Sequence, residues 1–418
     1  MTTDIVNAPK TMRVLRGPAL LLAATVALAG SGAGAAAAAD RPVTAPGGAQ
    51  SDPEMREVAR HVLGAGAPGY VARIDDGRRT TVTAAGVADR RTGRPLAGRD
   101  QFEIGSNTKT FTAVLALQLV DRGQLELDAP IEQYLPGVVP NGRDITVRML
   151  LNHTSGLFNY TADPDFVTSV LRDPQRLHTE QELLDVAFRH EPLFAPGTDW
   201  SYSNTNYTVI GVLLREITGK SLAELVRQRI AAPLGLHRTY VADPRATNTG
   251  RGYAHGYSIT FAGPEPVYTD VSTWPLGGFA GAAGAIISTS EDLSHFFSSL
   301  LSGKLISARQ LRQMKTTVAL PEDWGKGGYG LGLMRTDSPC GTVWGHGGDT
   351  LGHHSNAVTT ADGRRSAVTD ATANIGDTTP TEGATRFRRV VSAADTVATC
   401  RMLGKPAPRE VLDALTGG

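Results

Sequence analysis

Cysteine is scarce in this chain: among 418 residues there are two, Cys340 and Cys400. Two thiols cannot build a zinc site by themselves, and no pair of His residues four apart encloses a Glu, so neither a structural zinc nor a metalloprotease is expected. P-loop and dinucleotide-binding patterns are absent too, and no cofactor is expected. The chain also lacks net charge, with Lys plus Arg and Asp plus Glu each totalling 41. Such a balance gives no field to draw in nucleic acid or an anionic membrane, which leaves small uncharged or mixed-charge partners. Lysine is sparse, seven in all, so a Lys inside a tight motif is informative. The hydrophobic share of 41% is ordinary for a soluble globular protein.

The apolar run from Ala19 to Ala29 is too short to cross a bilayer comfortably. Lys10, Arg13 and Arg16 precede it, and Ala37-Ala38-Ala39 follows with the small-x-small pattern of a signal-peptidase site. Residues 1–39 therefore read as a signal peptide, with the mature chain starting near Asp40 after a short linker, 40–53. The protein is expected outside the cytoplasm as a secreted chain, with no stable membrane anchor after cleavage. In that oxidising setting Cys340 and Cys400 are expected to form one disulfide.

Local patterns then give a fold class. A helix near Glu54–Leu63 leads to a strand at Tyr70–Ile74 and, across Asp76-Gly77, to Thr80–Ala84, which reads as a hairpin with a two-residue turn. From Ser106 to Val120 apolar residues fall at three-to-four spacing and Gly123 is a plausible stop. Loops and short helices follow, at Thr146–Asn152, Thr179–His190, Tyr207–Ile217 and Leu222–Leu234. Ser288 or Ser290 is positioned to cap a helix reaching Leu301. Strand patterns return at Tyr329–Arg335, Thr342–His346, Ser355–Thr360 and Arg365–Ala371, with Asp362-Gly363 marking a second hairpin, before a last helix at about Thr385–Met402. The expected fold is α/β (α+β): an antiparallel sheet flanked by helices, plus a mainly helical lobe. One catalytic domain, 54–403, divides into a sheet lobe (about 54–124 and 280–403) and a helical lobe (about 125–279). The tail, 404–418, reads as either a disordered end or a removable segment.

Three motifs carry chemistry. Ser106-Asn107-Thr108-Lys109 sets a hydroxyl and an amine one helical turn apart on one face. A serine hydroxyl needs a base, which a desolvated Lys supplies, and a helix N-terminus favours developing negative charge. Alone, the motif also fits an exposed helix turn. Tyr202-Ser203-Asn204 offers a phenol for proton relay, or simply a helix cap at Ser203 or Asn204. His346-Gly347-Gly348 follows a strand, and its bare backbone lets a substrate approach; an amide near Asp349 pairs naturally with that of Ser106 as an oxyanion hole. The pair His353-His354 reads as structural.

Taken in this order, the motifs resemble those of the serine D-alanyl-D-alanine carboxypeptidases of the class C β-lactamase-like family, the penicillin-recognising serine hydrolases, over about Gly69 to Cys400. Phe102–Ser106, Ile145–Leu157 and Gly281–Thr289 share the likeness. The pair Cys340 and Cys400 also looks like the disulfide of an exported member. The resemblance implies that Ser106 attacks a carbonyl between two D-alanines, that Lys109 and Tyr202 share the proton traffic, and that His346 replaces a Lys of other branches. Which of Lys109 and Tyr202 is the base stays open. It further implies an oxyanion hole from the Ser106 and Asp349 amides, with Gly348 beside them, and an Asn204 that orients the substrate amide or Lys109. The partners implied are a peptidoglycan stem peptide or another small acyl substrate, with β-lactams acylating the same serine; a monomer is expected. Two departures bear on substrate. Close relatives hold a hydroxyl where Asp349 stands and an Arg near Met334, groups that receive the terminal carboxylate. Here a carboxylate at Asp349 repels an anionic terminus, and Arg335 points to the other sheet face if its strand is regular. A β-lactamase, an esterase or a D-amino-acid amidase is the alternative within the same chemistry; an inactive peptidoglycan-binding or interaction protein is the alternative outside it.

Overall fold

The computed structural model describes residues 52–245, 252–261, 263, 265–376 and 381–417. The expected signal peptide and the linker up to residue 51 lie outside the described residues. The linker's last two residues are already structured, Asp52 capping and Pro53 opening helix α1 (Pro53–Gly64).

Nine strands form the main antiparallel sheet: β1 (Gly69–Asp75), β2 (Thr80–Asp89), β3 (Arg94–Pro95), β4 (Val318–Ala319), β5 (Gly327–Tyr329), β6 (Met334–Ser338), β7 (Gly341–Asp349), β8 (His354–Thr359) and β9 (Ser366–Ala371), in the spatial order β3-β2-β1-β9-β8-β7-β6-β5-β4. The two ends of the chain thus meet at the β1–β9 pairing, where Tyr70 lies opposite Ala371. Alternation along β1 divides the interior in two: Tyr70, Ala72 and Ile74 join one core, and Val71 joins the other. The first core lies under α1 and the long helix α5 (Glu382–Met402). The second holds the helix α2 (Thr108–Asp121), which is buried on nearly every face, together with α3 (Asn204–Thr218) and α4 (Ser290–Leu301). A helix apolar all round must be interior, and α2 carries the nucleophile motif into the junction between sheet and helical lobe.

Several local expectations shift. The first hairpin has a four-residue loop: Asp75 is the last paired residue opposite Thr80, and the Asp76 amide donates to the Arg79 carbonyl. Thr289, between the two serines named above, caps α4 by accepting from the Asp292 amide. The stretch Tyr329–Arg335 is not one strand but β5 and β6, separated by a turn in which Gly332 has φ +68°. The lobe 125–279 is helical at Val147–Leu151, Pro164–Arg172, Glu180–Phe188, α3 and Leu222–Val226, yet also holds strands at Tyr240–Val241, Tyr257–Thr260 and Val267–Asp270. The tail is not a disordered end: Arg409–Thr416 forms a helix, α6, whose Leu415 is buried in the first core. No helix among the described residues is long and apolar enough to cross a membrane.

Cys340, in the turn between β6 and β7, is bonded to Cys400 near the end of α5. The bridge closes a chain separation of 60 residues, and a loop of that size loses enough unfolded-state entropy for the bond to stabilise by about 2–4 kcal/mol. A Cys340→Ser/Cys400→Ser double variant is expected to unfold in urea with a stability lower by that amount. A loss below about 1 kcal/mol is too small for a constraint on so long a loop.

Candidate active site

The site is assembled where the entrance to α2 meets the end of β7. Gly105 has φ +50°, and a Cβ there would lie 2.7 Å from the Asp349 carbonyl oxygen and 2.8 Å from its amide nitrogen. Only glycine permits that approach. Ser106 follows on a 3₁₀ turn, Gly105–Asn107, immediately before α2, rather than on the first turn of the helix itself. The three-residue spacing still sets the amine under the hydroxyl: Lys109 Nζ donates to Ser106 Oγ at 2.9 Å.

Lys109 is fully buried. Besides Ser106, its Nζ donates to Asn204 Oδ1 at 2.7 Å and to the Ala283 carbonyl at 2.8 Å. All three partners are uncharged, so nothing offsets the loss of solvation, and burial pushes the Lys109 pKa well below its ordinary value. Ser203 occupies the N-cap position of α3 without a side-chain capping bond, and Asn204 turns its side chain to Lys109 and to Thr161 Oγ1, 3.0 Å away. The capping alternative for that motif thus gives way to contact with the amine. Tyr202 places its ring 4.8 Å from Lys109 Nζ. Burial drives its phenol pKa up, only partly opposed by the neighbouring Ser106 hydroxyl.

His346 reaches the same cavity from β7, its ring 6.4 Å from that of Tyr202. Its Nδ1 lies 2.6 Å from the Gly347 carbonyl oxygen, which only accepts, so Nδ1 carries the proton. Nε2 is then the acceptor for the Tyr329 hydroxyl at 2.9 Å. Burial first, and the nearby Lys109 second, press its pKa down to about 3, so the imidazole is neutral at physiological pH. Sequence patterns assign His153 no role, yet its ring packs against this group. It has φ +65°, rare outside glycine, and its Nδ1 accepts from the Ser203 amide at 3.3 Å and faces Asn206 Nδ2 at 3.1 Å. Its ring lies 4.4 Å from Tyr202 and 4.7 Å from Tyr329. No single-sequence signal marks a left-handed histidine.

A cavity of about 520 Å³ opens beside Ser106 and runs across one sheet face toward α5. Gly345, Gly347 and Asp349 of β7 line it, directly paired with Val358, Asn356 and His354 of β8. β6 ends at Met334, opposite Gly345, so His346–Asp349 have no β6 partner and present an open edge to the cleft. Trp324 forms a wall, its ring 5.2 Å from that of Tyr202. Two of the residues weighed above for substrate contact, Gly348 and Arg335, lie off the cleft. Gly348 faces away from the cavity: a Cβ on it would sit 2.7 Å from Asn107 Nδ2 and from Ser355 Oγ, so it serves the close approach of the nucleophile turn, while Gly347 lines the cleft. Arg335 does not line the cleft and bonds Asp337 at 2.9 Å, whereas its neighbours Met334 and Thr336 do line it, as period-two alternation requires.

Asp349 does line the cleft, and His354, read above as structural, is joined to it. His354 Nδ1 lies 2.7 Å from Asp349 Oδ1, and its Nε2 lies 3.0 Å from Asp395 Oδ2 on α5. Burial opposes the charge on His354, but the two carboxylates outweigh it and hold its pKa well above the ordinary value. Asp349, against the opposing effect of burial, is kept below the usual carboxylate range by His354 and by the amide of Asn374. His353 points to the opposite side, toward Asp370. Among the described residues no group of three or more His, Cys, Asp or Glu is placed to hold a metal ion.

A hydroxyl held by a buried amine on the opening of an interior helix, within a cleft bounded by an open strand edge, defines a serine hydrolase of the acyl-transfer type. The beta-lactamase family model matches residues 55–389, and the chain belongs to that family. It is similar to a D-stereospecific amidohydrolase from Streptomyces sp., with 38% identity and a TM-score of 0.72 over 81% of this chain and 97% of the other. It is similar to the D-amino acid amidase from Ochrobactrum anthropi SV3, at 28% identity and a TM-score of 0.71 over 83% and 98%. It also resembles Penicillin-binding protein 4* of Bacillus subtilis (strain 168), 28% identical over 297 residues, 68% of this chain. The match spans 63% of that relative, less than two thirds of its length.

Proposed function

We propose that this chain is an exported serine amidohydrolase that cleaves D-configured aminoacyl amides or peptides through an acyl-enzyme on Ser106. The observation that carries the reading is Lys109 Nζ, buried among uncharged partners 2.9 Å from Ser106 Oγ. An amine so desolvated is neutral often enough to take the serine proton, while the Tyr202 phenol, pushed the other way by burial, stays protonated. On this reading Lys109 is the base for acylation. The Oγ–carbon bond forms, the Ser106 proton passes to Nζ, and negative charge gathers on the carbonyl oxygen between the amides of Ser106 and Asp349. As the carbon–nitrogen bond breaks, a proton returns through the Tyr202 hydroxyl to the departing amine. Water then releases the acyl group by the reverse proton path. His346 and Tyr329 hold the wall of the cleft, and Asn204 keeps Lys109 in place. The D-configuration is taken from the likeness to the Streptomyces amidohydrolase.

The second reading is the D-alanyl-D-alanine carboxypeptidase, with β-lactams as covalent inhibitors or substrates; the likeness to a penicillin-binding protein favours it. One experiment tests both. Secreted protein, with its N-terminus sequenced and expected near Asp40, is treated with a fluorophosphonate and with a labelled penicillin. The adduct is mapped by mass spectrometry, and turnover of a D-amino acid amide is compared with that of an acyl-D-Ala-D-Ala peptide. Labelling is expected at Ser106 and absent in Ser106→Ala, with the amide the better substrate. Folded protein that takes neither label ends the serine reading, and faster release of D-alanine selects the carboxypeptidase.

A further inference from the structure

The side chains of Asp349, His354 and Asp395 line the same cavity as Ser106, yet acylation and deacylation use only the backbone amide of Asp349 among these residues. Asp349 stands where the nucleophile turn touches β7, at the last position of the open strand edge. Its side chain is on the cleft side of the sheet, with those of His354 and Asn356. A substrate acylating Ser106 must lie along His346–Asp349, so one arm of it passes this carboxylate. Both bonds made to the side chain, from His354 at 2.7 Å and from Asn374 at 3.0 Å, fall on Oδ1, so the group is fixed through one oxygen while the side chain stays half exposed on the cleft. His354 cannot cancel the charge, because it is shared with Asp395, itself held by Thr369 Oγ1 at 2.6 Å. Two carboxylates around one imidazolium leave one net negative charge beside the reaction centre. Asp323 adds another acid to the lining, and Arg388 on α5 adds a cation.

We infer that Asp349, fixed by His354 and Asn374, selects substrates by the charge next to the scissile amide: neutral and cationic groups are taken, and a free carboxylate is turned away. The inference rests on Ser106 being the acylated nucleophile, and it names the substrate class of that site. Amides and amine-bearing peptides would be cleaved in preference to peptides ending at the adjacent residue. His354 and Asp395 are positioning residues: they touch no substrate and act by holding the Asp349 carboxylate ionised and immobile. Arg335 offers no compensation, since it lies off the cleft and bonds Asp337.

The test uses one acyl-D-alanyl group attached to three leaving amines of similar size: glycine, carrying a carboxylate; glycinamide, which is neutral; and ethylenediamine, carrying an ammonium. In the wild type kcat/KM for glycinamide is expected to exceed that for glycine by about tenfold, the size of one like-charge contact in a partly wet cleft, with ethylenediamine at least equal to glycinamide. Asp349→Asn and Asp349→Ser should bring the glycinamide-to-glycine ratio close to one. Ratios are taken within each enzyme, so any general loss from a disturbed oxyanion hole cancels. His354→Gln releases the carboxylate from its main partner and should lower the ratio part of the way toward one, and it covers the case in which the Asp349 variants fail to fold. Equal or faster cleavage of the glycine peptide by the wild type, lost in Arg388→Gln, would show that Arg388 seats a carboxylate and overturns the inference, as does a ratio that Asp349→Asn leaves unchanged. The fluorophosphonate label separates the two levels. A chain that is not labelled at Ser106 fails the underlying reading, and a labelled chain with a flat series fails this inference alone.

Discussion

Lys109→Met is expected to lower the acylation rate by about 10³-fold or more, the scale of losing a positioned general base together with activation of the nucleophile. Methionine fills the same length of buried space, so the loss isolates the amine from its packing. Lys109→Arg should fail as badly, because a guanidinium does not give up its proton in a protein. An Arg variant with near-native turnover would mean that position 109 supplies only positive charge, and Tyr202 would then be the base. The pH dependence follows from the same burial. The rate should rise with pH through the depressed pKa of Lys109, and His346, neutral above about 3, does not contribute that limb. Stability carries the same signature. Between the lowered folded value and the ordinary value of a solvated lysine, the unfolded chain binds more protons than the folded one, so stability rises with pH across that window. In Lys109→Met this part of the slope disappears, which urea unfolding at a series of pH values will read. The substitution also leaves Asn204 Oδ1 and the Ala283 carbonyl without their donor, at about 1–3 kcal/mol each. It is therefore the slope, and not the stability at one pH, that reports the amine.

What the sequence discloses about this site follows physical range. Ser106 and Lys109 are legible because helical spacing alone joins them, and the Arg335 side chain is legibly off the cleft because strands alternate with period two. Alternation also says that His353 and His354 face opposite sides, but not which side holds the cleft. His354 meets Asp395, 41 residues further on, only after α5 is laid on the sheet against β9 and β1. Such a pairing has no local trace. From its type alone Asp349 reads as a repulsive carboxylate; the imidazolium and amide that hold it ionised come from β8 and from Asn374, near the end of the sheet segment. The break in Tyr329–Arg335 and the helix in the tail are different, since both had local marks. Gly330 and Gly332 flank Leu331 at the break, and Val411 and Leu415 are four apart, on one helical face.

Phe111→Ala is expected to destabilise the fold by about 3–5 kcal/mol, more than loss of the disulfide, because a fully buried ring leaves a cavity that its neighbours cannot close. Phe111 projects from α2 just after Lys109 and stacks on Phe296 of α4, with centroids 3.5 Å apart and planes at 9°. Both rings are completely buried. The pair ties the helix carrying the nucleophile to the helix that packs on β8 and β9, the strands behind the cleft. Truncation therefore acts on two links. Urea unfolding measures the lost packing, and the kinetics show whether α2 has moved. A small displacement of α2 lengthens the Lys109–Ser106 contact and leaves the open edge of β7 as it was, so kcat should fall while KM changes little. Phe111→Leu restores most of the volume and should cost about 1.5 kcal/mol or less. An alanine variant that loses under 1 kcal/mol would mean that the helix is held mainly from its other side. The hydroxyls of Thr110, bonded to the Gly332 carbonyl, and Thr112, bonded to that of Ala282, would then be what fixes the amine beneath the serine.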